Sequence, residues 1–201
     1  YAHLRDEVES IHEAGRVAVG SRECTFFEHA WYVRGMDNLF LDIHEDNGIA
    51  DWLLDWYTDR AVQNVQAYAR AGVDVIALGD DVGTQRGMMM AVEQWRTLLK
   101  PRLKRVIDAI RAAQGDHVYI RYHSDGDITD ILEDLIELGV DILNPVQPEC
   151  MAPGEVIPAY RDRLAFWGMV GTQTTMPFGT PEEVRQVVRE CKALAREGAP
   201  L

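Results

Sequence analysis

The sequence predicts an α/β fold, and within that class an incomplete portion of an eight-stranded β/α barrel, the (β/α)8 TIM barrel, with about five βα units. Short apolar runs rich in β-branched and aromatic residues alternate with amphipathic helices, which is the pattern of a parallel sheet. The later runs follow one another at the compact spacing of a barrel. The runs predict five strands, at 16–20, 73–78, 117–122, 141–144 and 164–167.

The helices between these strands are predicted from apolar residues at 3.6-residue spacing. One apolar stripe covers 95–110, and Pro101 is expected to kink the helix that carries it. A second stripe covers 128–138. The last helix begins with a capping box at 180–183, in which a threonine N-cap is followed by proline and, three residues on, by glutamate. Glycines that follow predicted helix ends indicate where each helix turns into the next strand.

The chain is short for the barrel that it predicts. It has 201 residues, whereas a complete barrel takes about 250 and has eight strands. We therefore predict a single barrel domain over 1–201 that is truncated at both ends. Five strands leave two open sheet edges, so we expect this piece to pair with the rest of its chain or with a second copy as a homodimer.

Composition excludes several classes of protein. The formal net charge is −13, which argues against a nucleic-acid partner. No apolar run approaches the length of roughly 18 residues that a membrane span needs, so we expect no membrane partner. The three cysteines are scattered and form no CxxC pair, which favours a cytoplasmic protein without a disulfide framework.

Polar side chains follow four of the predicted strands, at the end where a barrel forms its active site. Asp80 and Asp81 are adjacent, so their side chains point in opposite directions along an extended chain, and only one is expected to face the barrel mouth. The other is expected to cap or pair locally. The polar residues at these strand ends are Asp80, Asp81, Gln85, Arg86, His123, Asp125, Asn144, Gln147, Trp167 and Gln173.

His123 and Asp125 have the strongest chemical pattern among them. Their i, i+2 spacing places both side chains on one side of an extended segment. There they would share a metal ion, or act as a base with its orienting acid. The alternative is a hydrogen-bonded structural histidine, since two ligands alone do not define a zinc site.

Six motifs are spread along the chain, at 27–36, 79–90, 95–101, 143–149, 166–168 and 179–183. They resemble the uroporphyrinogen decarboxylase superfamily, and the resemblance extends over nearly the whole chain. This resemblance implies a β/α barrel and one of two activities. These are decarboxylation of the acetate side chains of uroporphyrinogen, and methyl transfer between corrinoid proteins and thiols or methylated substrates.

The methyltransferase branch is the favoured interpretation. Its His-x-Cys zinc motif is matched here by His123-Ser-Asp125, with aspartate in place of cysteine. The resemblance then implies Asp81, His123 and Asp125 as catalytic residues, and His123 and Asp125 as ligands of a zinc ion. It also implies a corrinoid cofactor that is carried by a partner protein. The substrate is a tetrapyrrole or a small methylated molecule. Its expected binding residues are Asp80, Gln85, Arg86, Asn144, Gln147, Trp167 and Gln173.

Two alternatives stay open. The first is decarboxylation of uroporphyrinogen in porphyrin synthesis, a reaction for which we expect no cofactor. The second is a barrel that has lost catalysis and serves as a binding subunit.

Overall fold

The computed structural model describes residues 3–114 and 117–196 and has the predicted alternation of strands and helices. Five strands form one sheet, and they are β1 (Val19–Glu23), β2 (Val75–Gly79), β5 (Tyr119–His123), β6 (Ile142–Asn144) and β7 (Ala165–Phe166). The short strands β3 (Gly83–Thr84) and β4 (Gly87–Met88) lie between β2 and β5 in the chain. The five strands are hydrogen-bonded in the order β1-β2-β5-β6-β7. The described registers, of β1 with β2 and of β6 with β7, are parallel.

Each predicted strand is present, but every one begins later than the apolar run that predicted it. The largest difference is in β1, which was predicted at 16–20 and is found at Val19–Glu23. Pairing explains the shift, because β1 is bounded by its register with β2, from Val19 opposite Val75 to Glu23 opposite Gly79. An apolar run indicates burial, whereas the partner strand sets where the ladder begins and ends.

The chain has two compact units, and the first contains Tyr1–Asp81 and Glu93–Arg121. Its long helices α4 (Ile49–Ala71) and α6 (Lys100–Gln114) pack against each other. Both helices carry fully buried side chains, among them Leu54 and Val65 on α4 and Val106 and Ile110 on α6. Arg102 on α6 also donates to Asp51 on α4 at 2.7 Å. The helices of this unit are α1 (Leu4–Glu13), α2 (Phe27–Arg34), α3 (Met36–Glu45), α4 (Ile49–Ala71), most of α5 (Val92–Leu98) and α6 (Lys100–Gln114).

The predicted kinked helix over 95–110 is two helices. α5 ends at Leu98 and α6 begins at Lys100, which makes Pro101 the second residue of α6. A proline has no backbone N–H to donate, and the first turn of a helix is the place where that loss costs nothing. Pro101 therefore starts a helix here and does not bend one.

The second unit contains Val82–Val92 and Tyr122–Leu201. It includes a short antiparallel hairpin in the segment that follows β2, formed by β3 (Gly83–Thr84) and β4 (Gly87–Met88). The stripe predicted over 128–138 is buried as expected, with Ile131, Leu132 and Leu135 fully inside. The helices of this unit are a 3-10 turn (Thr129–Ile131), α7 (Leu132–Leu138), α8 (Pro153–Tyr160), α9 (Thr175–Phe178) and α10 (Pro181–Arg196).

Local capping signals are confirmed at both kinds of helix end. The Thr180 Oγ1 atom accepts the Glu183 backbone N–H at 3.3 Å, and Glu183 Oε2 accepts the Thr180 N–H at 2.6 Å, which is the predicted capping box before α10. Gly72 and Gly139 end α4 and α7 with φ of 90° and 93°, a conformation that glycine adopts without strain. Within the described residues, no helix is both long and apolar enough to cross a bilayer.

Candidate functional site

The second unit holds most of the predicted site residues at or just after strand ends. His123 is the last residue of β5, Asn144 is the last of β6, and Trp167 follows β7 directly. Two residues in these loops are not glycine and still have positive φ, Val146 at 50° and Met169 at 69°. Such backbone strain persists only where the surroundings enforce it, and it concentrates at functional sites.

His123, Asn144 and the backbone at Trp167 form a hydrogen-bonded chain. The distance from His123 Nδ1 to Asn144 Oδ1 is 2.6 Å. On its other side, the Asn144 side-chain NH₂ donates to the Trp167 carbonyl oxygen. Asn144 is only 8% exposed, so these partners replace water almost entirely. The amide predicted to bind substrate is therefore engaged with protein groups on both sides.

Asp125 lies two residues beyond His123 and is exposed. One carboxylate oxygen of Asp125 and one ring nitrogen of His123 lie within 4.8 Å of each other. Imidazole nitrogen and carboxylate oxygen are both ligands that zinc takes in proteins, and they also suit harder divalent cations. Both donors are therefore of the kinds that the zinc implied by the family resemblance would need, and zinc binding stays a prediction.

The loop that carries Asp125 is held by close backbone packing. Gly126 has φ of 82°, and a Cβ atom built on it would lie 2.4 Å from the carbonyl carbon of Gly83 in the hairpin. The Asp127 N–H donates to the Thr84 carbonyl at 2.7 Å. The Gly126 N–H donates to Gln147 Oε1 at 3.2 Å, and Gln147 is buried. Gln147, predicted to bind substrate, thus supports this loop.

Ser124 is a residue of this loop that the sequence reasoning missed. It is 2% exposed, and its Oγ atom accepts the Val82 N–H at 3.1 Å while donating to the Asp125 carbonyl at 3.0 Å. A serine between two proposed ligands was the available signal. Its role depends on the distant Val82, which no local pattern reveals.

In the first unit, the Asp80 side chain caps a helix. Asp80 is 2% exposed and accepts backbone N–H groups of Phe26 and Glu28 at the start of α2, at 3.2 and 2.9 Å. Burial raises the pKa of Asp80 to about 8, although these N–H groups favour the ionised form. One member of the aspartate pair thus caps locally, as expected.

Asp81 is half-buried, and its backbone N–H donates to Glu28 Oε2 at 3.1 Å. Glu28 is itself 6% exposed and also accepts the Tyr32 hydroxyl at 2.8 Å. The sequence reasoning did not select Glu28, which anchors the backbone at Asp81 through its carboxylate. The signal for it was its place inside the family motif at 27–36.

Three further predicted residues are exposed on the second unit. Gln85 and Arg86 form the turn between β3 and β4. Gln173 lies before α9, and its backbone N–H donates to Glu149 Oε1 at 3.1 Å. Hydrogen bonds from the Gln173 and Thr174 segment hold the pKa of Glu149 below its usual range against the opposing effect of burial. Substrate binding by these three residues stays a prediction.

Comparison with known proteins identifies the family. The model of the family uroporphyrinogen decarboxylase (URO-D) matches residues 5–200. The chain belongs to the URO-D family. No curated protein matches the sequence significantly.

Among solved structures, a methyltransferase from Methanosarcina mazei is similar, with a TM-score of 0.74 and 19% sequence identity. The match covers 95% of this chain and 55% of the methyltransferase chain. At that identity the similarity establishes the fold, an α/β barrel, and this chain spans about half the length of the methyltransferase chain. The fold class predicted from the sequence is confirmed, whereas a single domain over 1–201 stays a prediction.

Proposed function

We propose that this member of the URO-D family is a metal-dependent methyltransferase, which transfers a methyl group between a small methylated substrate and a corrinoid carried by a partner protein. The observation that carries the proposal is the His123 and Asp125 pair, whose donor atoms lie within 4.8 Å of each other. The similarity in fold to the methyltransferase from Methanosarcina mazei supports it.

The proposed zinc ligands are His123 through a ring nitrogen and Asp125 through a carboxylate oxygen. A bound zinc ion would act as a Lewis acid and activate a thiol or a methylated heteroatom. The packing of Gly126 against Gly83 keeps Asp125 in place, and the buried Asn144 orients His123. Asp81 is proposed as the third catalytic group, because it follows β2 at the end of the strand where barrels place their active sites.

The test is metal content measured by plasma mass spectrometry on the intact protein and on variants. We expect about one equivalent of zinc or cobalt in the wild type, and its loss in His123→Ala and in Asp125→Ala. His44→Ala and Asp130→Ala are matched controls, because each removes an exposed side chain of the same type that is not a proposed ligand, and both are expected to retain the metal. Absence of metal from every sample would contradict the proposal.

The second candidate is decarboxylation of uroporphyrinogen acetate side chains, which the description of the matching family favours. This activity requires no metal at His123. A metal-free protein that converts uroporphyrinogen, with Asp81→Asn reducing the rate, would establish it. The third candidate, a non-catalytic binding subunit, predicts tight binding of a corrinoid protein without turnover.

The proposal extends to the setting of the protein. Cytoplasmic location, pairing as a homodimer and a tetrapyrrole or small-molecule substrate all belong to it. The cysteine usage favours the cytoplasmic location, and the family resemblance favours the substrate.

A further inference from the structure

The Asn144 side chain lies between two groups whose hydrogen-bonding roles differ. On one side is the Trp167 backbone carbonyl, and on the other is the ring atom Nδ1 of His123. A second link joins the same strand ends, since the Ser124 N–H donates to the Asn144 backbone carbonyl at 3.1 Å. The backbone at Asn144 is therefore tied to the end of β5, and both ends of its side-chain amide are engaged.

The chemistry of the three groups fixes which atom holds each hydrogen. A backbone carbonyl oxygen only accepts, so the Asn144 group facing Trp167 must be the NH₂. The group facing His123 is then the amide oxygen, which also only accepts. The hydrogen in the 2.6 Å contact must therefore lie on His123 Nδ1. In a neutral imidazole with Nδ1 protonated, the lone pair is on Nε2.

We infer that Asn144 is a positioning residue, which holds His123 as the Nδ1–H tautomer and so makes Nε2 the ring nitrogen that would bind a divalent cation. The inference rests on the proposed metal site and adds to it the group that orients one ligand. Histidines that bind metals characteristically donate their second ring N–H to an oxygen, which fixes both tautomer and ring orientation. Here that oxygen belongs to an amide, and its own orientation is set by the backbone at Trp167.

The choice of asparagine follows from the two contacts. Aspartate would keep an oxygen toward His123 but would place its second oxygen against the Trp167 carbonyl, where two acceptors repel. Leucine has nearly the same shape and would leave Nδ1 without an acceptor. A buried amide is costly unless both of its ends are hydrogen-bonded, and both ends of Asn144 are.

The experiment is ¹⁵N NMR of the intact, metal-free protein labelled in its histidines, at a pH where an ordinary imidazole is neutral. Long-range proton–nitrogen correlations distinguish the two tautomers, and His123→Gln identifies the His123 signals by their loss. We expect the Nδ1–H tautomer in the wild type and a shift toward the Nε2–H tautomer in Asn144→Leu. Asn144→Asp is expected to restore the Nδ1–H tautomer, because a carboxylate oxygen still accepts.

Zinc affinity is the second readout, measured by competition with a chelating dye. We expect Asn144→Leu to weaken binding about 10- to 100-fold, as loss of such outer hydrogen bonds does elsewhere. Leu143→Ala is the matched control for general destabilisation, since Leu143 is 1% exposed, is adjacent in β6 and lies on the opposite face of the strand. It is expected to keep the tautomer.

Two results would overturn the inference. One is an Nε2–H tautomer in the wild type, and the other is an Nδ1–H tautomer that persists in Asn144→Leu. The proposed function can fail separately. If the protein binds no zinc but shows the expected tautomers, the proposed metal site is wrong, whereas Asn144 still fixes the tautomer of His123.

Discussion

Replacing Gly126 by alanine tests how rigidly the loop that carries Asp125 is held. Gly126 has φ of 82°, and an added Cβ atom would lie 2.4 Å from the Gly83 carbonyl carbon and 2.7 Å from the Thr84 nitrogen. Both neighbours are backbone atoms of the hairpin, so neither relieves the contact by rotating a side chain. The substitution therefore combines backbone strain with overpacking.

The expected cost is the sum of these two effects. A left-handed backbone conformation costs an L residue roughly 1–2 kcal/mol, and overpacking a tight contact costs about 1–3 kcal/mol. We expect Gly126→Ala to lower the free energy of unfolding by about 2–5 kcal/mol, measured by urea denaturation with circular dichroism.

Two other glycines separate the contributions. Gly72 has φ of 90° and nothing within 4 Å of an added Cβ atom, so Gly72→Ala carries strain alone and should cost about 1–2 kcal/mol. Gly154 in α8 has neither strain nor a close neighbour, so Gly154→Ala should be neutral or stabilising by up to about 1 kcal/mol. If Gly126→Ala is no more destabilised than Gly72→Ala, the close approach of loop and hairpin is refuted.

Two further predictions concern stability. Burial raises the pKa of Asp80 to about 8. Between about pH 4 and pH 8, the Asp80 carboxyl is therefore protonated in the folded state and ionised in the unfolded state. The wild type should therefore lose stability relative to Asp80→Asn as the pH rises through that window, and parallel stability curves from urea denaturation would contradict this. Thr180→Ala removes the hydroxyl of the α10 capping box and should cost about 0.5–2 kcal/mol by the same assay. Thr172→Ala, in the turn before α9, serves as its exposed control. Equal stability of the two threonine variants would show that the cap contributes nothing.

What the sequence by itself determined is the part of the fold that depends on neighbours along the chain. The capping box at Thr180, the buried stripe of α7 and the glycine after α4 all follow from interactions within a few residues. The existence of five strands was predictable for the same reason, because burial of a strand leaves a local apolar run. The pair of His123 and Asp125 was also predictable, since an i, i+2 spacing fixes two side chains on one side of an extended chain.

Only the tertiary structure decided which polar residues support others. Asn144 and Gln147 were predicted as substrate ligands, but their amides engage His123 and Gly126, which are 21 residues away in each case. Asp80 caps a helix whose N-terminus lies more than 50 residues earlier. The ends of β1 were likewise set by pairing with β2. A residue type and its spacing indicate what a side chain is able to bind, whereas the fold brings distant partners together and thereby selects the group that it does bind.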